Sequence, residues 1–228
     1  MGDFIKFDSE GGKTRAYLAL PAEGNAPGVL LCHSWWGLND FFTGLADRLA
    51  AEGFVVLAPD LYDGRTTADK GEAERLVEEV DGQYETAIRK ESAALDQLLA
   101  HPRVRGDKAG AVAFSMGADY ANWVSAQRPE LAALVLFSGG ANWQPPGFME
   151  RSRAAVLGHF ATDDEFQPEA DVRAFEAALR DAGKEATIHF YPDSGHWFFE
   201  DNRPDDYNPE AAALAWERTV EFLRAKLA

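Results

Sequence analysis

The sequence predicts a parallel α/β sheet covered by helices on both faces, and two observations carry that reading. Short apolar runs alternate with amphipathic stretches along nearly all of the 228 residues, the pattern of strands joined by crossover helices. Several runs are apolar at consecutive positions, as strands buried on both faces must be. Hydrophobic residues make up 46% and charged residues 26% of the chain, a globular balance. No repeat, low-complexity tract or linker divides it, so one domain over 1–228 is expected. A chain of this size buries roughly 70% of its unfolded surface and needs no metal or disulfide staple.

Taken in order, Phe4 to Phe7 and Ala16 to Leu20, joined by a Glu10-Gly11-Gly12 turn, read as an antiparallel hairpin. Val29 to Cys32 reads as a buried strand, Phe42 to Glu52 as a helix with Phe42, Leu45 and Leu49 on one side, and Phe54 to Ala58 as a strand ended by Pro59. Asp63 to Gly82 is polar and acidic. It reads as a solvated charged stretch with at most a short helix over Glu72 to Val80, a small lid being the alternative. A long helix follows over Tyr84 to Ala100, its stripe running Tyr84, Ile88, Leu95, Leu98 and Leu99. The second half repeats the pattern: strand Ala109 to Phe114, helix Met116 to Gln127, strand Leu131 to Phe137, strand Ala154 to Phe160, helix Pro168 to Ala182 and strand Ala186 to Tyr191. Pro209 to Leu227 closes the chain as a helix capped by Asn208, with Trp216, Val220 and Leu223 inward.

Charge and cysteine content exclude several classes. The 22 basic against 38 acidic residues give a formal charge of −16, with no Lys/Arg cluster, which argues against a nucleic-acid partner. The single cysteine, Cys32, can form neither an internal disulfide nor, alone, a metal site, and it reads as a small buried strand residue. Met1 to Phe7 shows no secretory signal pattern and no apolar run approaches a membrane span. A cytoplasmic protein without membrane partner is expected, monomer or homodimer.

The chemistry is carried by Ala113-Phe114-Ser115-Met116-Gly117, where an apolar strand ends and a helix begins. A serine on such a tight turn is held in a strained conformation with Oγ over the strand ends, and small residues two places away let strand and helix approach. A chance strand-to-helix serine is the plain alternative, but a nucleophile elbow requires a later acid and then a histidine. Asp164 follows the strand ending at Phe160, with Asp163 beside it, and His196 follows the strand ending at Tyr191. All three candidates thus sit at the carboxyl ends of strands, where open α/β sheets place ligands. The remaining histidines read otherwise: His101 as solvated, His159 and His189 as structural, and His33 as preceding the acid in the wrong order.

At these residues the chain resembles the dienelactone hydrolase family of the α/β-hydrolase fold, whose mostly parallel sheet of about seven to eight strands carries helices on both faces. The resemblance spans nearly the whole chain. Its most specific pieces are Ser34-Trp35-Trp36-Gly37-Leu38-Asn39, Ala58-Pro59-Asp60-Leu61-Tyr62, the Ser115 elbow, Asp164-Glu165-Phe166-Gln167-Pro168 and Gly195-His196-Trp197-Phe198. It implies Ser115 as nucleophile, His196 as base and Asp164, rather than Asp163, as the acid. Three departures stand out against the family's best-studied members. Serine replaces their cysteine nucleophile, Ser34 stands where they carry a glutamate, and Glu200 where they carry an arginine for a substrate carboxylate.

The expected reaction is two-step acyl transfer on a small ester or lactone, with no metal or cofactor. The backbone N–H groups of Met116 and Trp35 are the expected oxyanion donors. Ser34, Trp36, Trp143, Phe148, Trp197, Phe198 and Glu200 fall in or near loops that this topology gathers at the site, and are candidate pocket residues. Glu200 is expected to repel anionic substrates. A carboxymethylenebutenolidase acting on anionic dienelactones, or a non-catalytic small-molecule binder on the same fold, are the competing readings.

Overall fold

The computed structural model describes residues 1–10 and 12–228. Its elements are β1 (Asp3–Ser9), β2 (Gly12–Ala19), β3 (Ala26–Cys32), α1 (Asp40–Ala51), β4 (Val55–Pro59), α2 (Lys70–Asp81), α3 (Tyr84–Leu99), β5 (Val104–Phe114), α4 (Met116–Gln127), β6 (Leu131–Phe137), α5 (Phe148–Arg151), β7 (Ala155–Ala161), α6 (Glu169–Asp181), β8 (Ala186–Tyr191) and α7 (Pro209–Lys226). The eight strands form one sheet in the order β1-β2-β4-β3-β5-β6-β7-β8. β1 pairs antiparallel with β2, and β2 antiparallel with β4. All other pairings are parallel. Gly12, expected in the turn, already belongs to β2 opposite Ser9, and Gly11 of that expected turn lies outside the described residues.

The two-residue period of the strands divides their side chains between two cores. Val29 and Leu31 of β3, with Val56 and Ala58 of β4, pack against α1 and α7. Leu30, Cys32, Val55 and Leu57 point the other way, into the core built with α3, α4 and α6. A strand apolar at every position is the consequence of this double coverage.

Two helices differ from expectation. α2 runs the full twelve residues Lys70–Asp81, started by Asp69, whose side chain accepts from the Glu72 N–H at 2.9 Å. It is not a merely solvated stretch, because Ala73 and Leu76 are completely buried. Val77 and Val80 pack beside them, completing a stripe at helical spacing that the surrounding acidic residues masked. The one-turn α5 was not foreseen, being too short for a periodic signal. α7 begins as expected, with Asn208 Oδ1 accepting from the Ala211 N–H. No described helix is long and apolar enough to cross a membrane.

Strand order reverses at the centre: β4 lies on one side of β3 and β5 on the other. The crevice beyond the carboxyl ends of β3 and β5 is therefore the topological switch point, where a ligand can enter between diverging connections.

Candidate active site

Ser115 occupies that crevice, between β5 and α4, with φ 48° and ψ −120°. This positive φ is strained for a residue with a side chain. It is held because both neighbours are packed too closely to relax. A Cβ on Gly117 would lie 2.6 Å from the His33 carbonyl oxygen, and one on Gly139 would lie 2.3 Å from the Ser115 carbonyl oxygen. Gly117 was legible as a small-residue requirement; Gly139, at the end of β6, was not.

Asp164 and His196 leave the ends of β7 and β8 and converge on Ser115. His196 Nδ1 lies 2.8 and 2.9 Å from the two Asp164 oxygens, and Nε2 lies 2.8 Å from Ser115 Oγ. A carboxylate can only accept, so Nδ1 carries the proton and Nε2 is left to accept from the serine hydroxyl. Asp164 is itself fixed by the backbone N–H groups of Phe166 and Gln167, each donating to Oδ1 at 2.9 Å. Asp163, the neighbouring alternative, is exposed, accepts from the Thr162 hydroxyl and makes no hydrogen bond with His196 among the described residues.

The Met116 N–H opens α4 and has no intrahelical acceptor. The Trp35 N–H, after β3, makes no hydrogen bond among the described residues. These two free donors flank the switch-point crevice beside Ser115.

A cavity of about 550 Å³ opens over Ser115 and His196, walled by Trp35, Trp143, Phe166 and Trp197. Trp35 stacks on Trp197 at 5.6 Å, and Phe166 packs edge-on against His196 at 4.8 Å. Of the candidate pocket residues, Trp143 and Trp197 line it. Ser34, Trp36, Phe148, Phe198 and Glu200 do not. Trp36 is buried beneath Trp35 and Trp197, Phe148 belongs to the core under α6, and Phe198 stacks on Tyr191 in the core under α7. Ser34 is completely buried, and Glu200 lines a separate void of about 10 Å³ behind Ser115. Burial pushes the Glu200 carboxyl up to about 8, only partly opposed by the Ser34 hydroxyl and Arg203. The group is thus mostly neutral at pH 7 and faces no ligand, so it cannot repel an anion as expected.

The rest of the cavity wall was missed in the sequence. Val77 and Asp81 come from α2, Tyr84 from α3, Asp119 and Tyr120 from α4, and Asn142 and Gln167 from loops. Asp119 alone had a readable signal, since four residues after Ser115 on one helix is the same face. Cys32 is buried and its thiol is pushed well up, by desolvation first and then by Glu91, which makes it a poor nucleophile. No group of three or more potential metal ligands assembles among the described residues.

The model of the dienelactone hydrolase family matches residues 14–227. A protein of Aquifex aeolicus, provisionally named a carboxymethylenebutenolidase, is 28% identical over 231 residues covering 100% of both chains. A Bradyrhizobium protein named a probable 2-oxo-3-(5-oxofuran-2-ylidene)propanoate lactonase is 28% identical over 97% of this chain and 93% of its own. Among solved structures, a dienelactone hydrolase-like promiscuous phosphotriesterase from metagenomic libraries superposes with a TM-score of 0.90, over 100% of this chain and 99% of that one, at 22% identity. That likeness is one of fold.

Proposed function

Because the chain belongs to the dienelactone hydrolase family, we propose that it hydrolyses small carboxylic esters and lactones with Ser115 as nucleophile, His196 as base and Asp164 as the orienting acid. The observation that carries this reading is the 2.8 Å contact between His196 Nε2 and Ser115 Oγ on a strained elbow at the cavity floor. In the first step Ser115 Oγ attacks the carbonyl carbon while its proton passes to His196 Nε2. The oxyanion is taken up by the Met116 and Trp35 N–H groups, each worth roughly 3–4 kcal/mol of transition-state stabilisation. Collapse expels the alkoxide, protonated by His196, and leaves an acyl-serine. Water then gives its proton to His196, attacks the acyl carbon and releases the acid, restoring the hydroxyl. The route needs no metal or organic cofactor.

Substrates without negative charge fit this site best. No Lys or Arg lines the cavity among the described residues, whereas Asp81 and Asp119 do. A substrate carboxylate there would lose water without gaining a counter-charge. This supports substrates without a carboxylate over anionic dienelactones, on the lining of the cavity and not on Glu200.

Incubation with a fluorophosphonate followed by intact-mass analysis tests the reaction class. One adduct on Ser115, absent in Ser115→Ala, with loss of p-nitrophenyl acetate turnover in that variant, is expected. Retention of most turnover by Ser115→Ala, or no adduct on wild type, sinks the proposal and leaves a binding protein.

A further inference from the structure

Asp81 and Asp119 are cavity residues that the acyl-transfer chemistry does not use. Asp119 Oδ1 accepts from the Gly140 N–H at 2.9 Å, and Asp81 Oδ1 accepts from the Tyr120 hydroxyl. The second oxygen of each makes no hydrogen bond among the described residues. Nor does a cation pair with either one. Arg65 and Arg75 on this side of the molecule bind Glu72 and Glu79, and Lys90 binds Asp63. Lys70 is exposed and lies over the Trp197 ring without lining the cavity.

The walls around this acidic end are aromatic. Trp143 meets Tyr84 at 6.2 Å and Tyr120 at 6.0 Å, both edge-on. Trp143 and Tyr84 also pack against Trp123, yet remain 37% and 36% exposed, leaving ring surface open to the cavity. A third acceptor stands nearby: Gln167 is only 5% exposed, its amide nitrogen donates to Asn142 Oδ1, and its amide oxygen has no partner among the described residues. Ring faces and carboxylates share one preference, for positive charge.

We propose that this end of the cavity is a cation subsite, and that the substrates preferred by the enzyme are small esters or lactones bearing an ammonium group two to four atoms from the carbonyl. The spacing follows from the helix. Asp119 lies four residues after Ser115, about 6 Å along α4 at 1.5 Å per residue. An ammonium that reaches Asp119 from a carbonyl held at Ser115 needs a link of that length. Asp81, exposed at the mouth, draws the cation in, and Trp143, Tyr84 and Tyr120 present ring surface to it. Burial, with Asp81 adding to it, pushes the Asp119 carboxyl up to about 8. A bound ammonium supplies the missing counter-charge.

This inference rests on the acyl-transfer reading, and the test separates the two. Acetylcholine and 3,3-dimethylbutyl acetate have the same shape and differ by a positive nitrogen against a neutral carbon. At fixed ionic strength, wild type is expected to favour acetylcholine in kcat/KM by about tenfold. Asp119→Asn keeps an acceptor for the Gly140 N–H, and both it and Asp81→Asn are expected to narrow that ratio several-fold. A wild-type ratio of one or less, or a ratio that neither variant moves, overturns the subsite while leaving the hydrolase standing. If neither ester is turned over and no phosphonate adduct forms, the hydrolase reading fails. The subsite is then read by titrating tetraethylammonium against the cavity tryptophans' fluorescence. Saturable quenching that weakens in Asp119→Asn supports it, and its absence overturns it.

Discussion

Asp163 and Asp164 are adjacent in sequence and opposite in environment. Asp164 is buried, accepts two backbone N–H bonds and faces His196 Nδ1, while Asp163 is exposed. Asp164→Asn presents an amide N–H where only an acceptor fits, which disfavours the tautomer that leaves Nε2 free. A loss of roughly 10⁴-fold in kcat is expected, by analogy with the same exchange in serine proteases. Asp163→Asn is expected to stay close to wild type on p-nitrophenyl acetate, and the reverse pattern would reassign the acid. A protonated His196 cannot accept the serine proton, so turnover must fall in acid, and a rate independent of pH removes His196 from the base role. Residue order pointed to a serine, a later acid and a histidine, while the choice of Asp164 over Asp163 came from the family resemblance. Glu200 was not: its position suggested a ligand contact, but only packing reveals that it points behind the nucleophile.

At the scale of elements, the α4 N-terminus must approach the end of β3 closely. Gly117→Ala would put a methyl 2.6 Å from the His33 carbonyl oxygen, in backbone that cannot give way cheaply. A destabilisation of about 1–3 kcal/mol is expected from such overpacking. Displacing α4 also moves Ser115 and the Met116 N–H, so the fluorophosphonate labelling rate should fall with it. Normal stability and labelling would show that the helix can shift freely. α2 offers a second check, because its charged outer face conceals a packed inner one. Leu76→Ala should cost about 2–5 kcal/mol by denaturant unfolding, and Glu74→Ala, on the exposed face, within about 0.5 kcal/mol. Equal small effects would return α2 to the status of a solvated stretch. Its stripe of Ala73, Leu76, Val77 and Val80 has helical spacing but stands among acidic residues, so the polar composition dominates the sequence pattern.

For the whole molecule, buried acid and net charge act in the same direction with pH. Glu91 and Glu200 are buried, and desolvation pushes both carboxyls up to about 8. Between the unfolded value of about 4.3 and 8 the folded state holds protons that the unfolded state has released. Stability from these groups is therefore complete below the unfolded value and is lost as pH rises toward 8, on the order of 5 kcal/mol for each as an upper figure. Self-repulsion from the formal charge of −16 adds to this, but salt screens it and leaves the buried groups untouched. Below about pH 6.5 the buried His33 and His159, which burial keeps neutral, act in the opposite sense. It is therefore from about pH 7 to 8 that Tm is expected to fall even in high salt, and Glu91→Gln should flatten that slope. A Tm that rises over that range, or an unchanged slope in the variant, contradicts the assignment.

The alternation of strands and helices, the elbow at Ser115 and the order of serine, acid and histidine were all legible because they depend on local pattern. Backbone sterics, side-chain period and chain order are properties of neighbouring residues, and each strand end marked a position on one edge of the sheet. The distances within the relay and the composition of the cavity wall are of another kind. Asp81 with Tyr84, Asp119, Trp143 and Gln167 come from four separate places in the chain and meet only because α2, α3 and α4 pack over the crevice with the later loops. Burial likewise pushes the Glu200 and Asp119 carboxyls both up to about 8, and packing hides Glu200 while Asp119 faces the ligand space, since desolvation and orientation arise from the whole set of surrounding atoms and not from any one residue's identity.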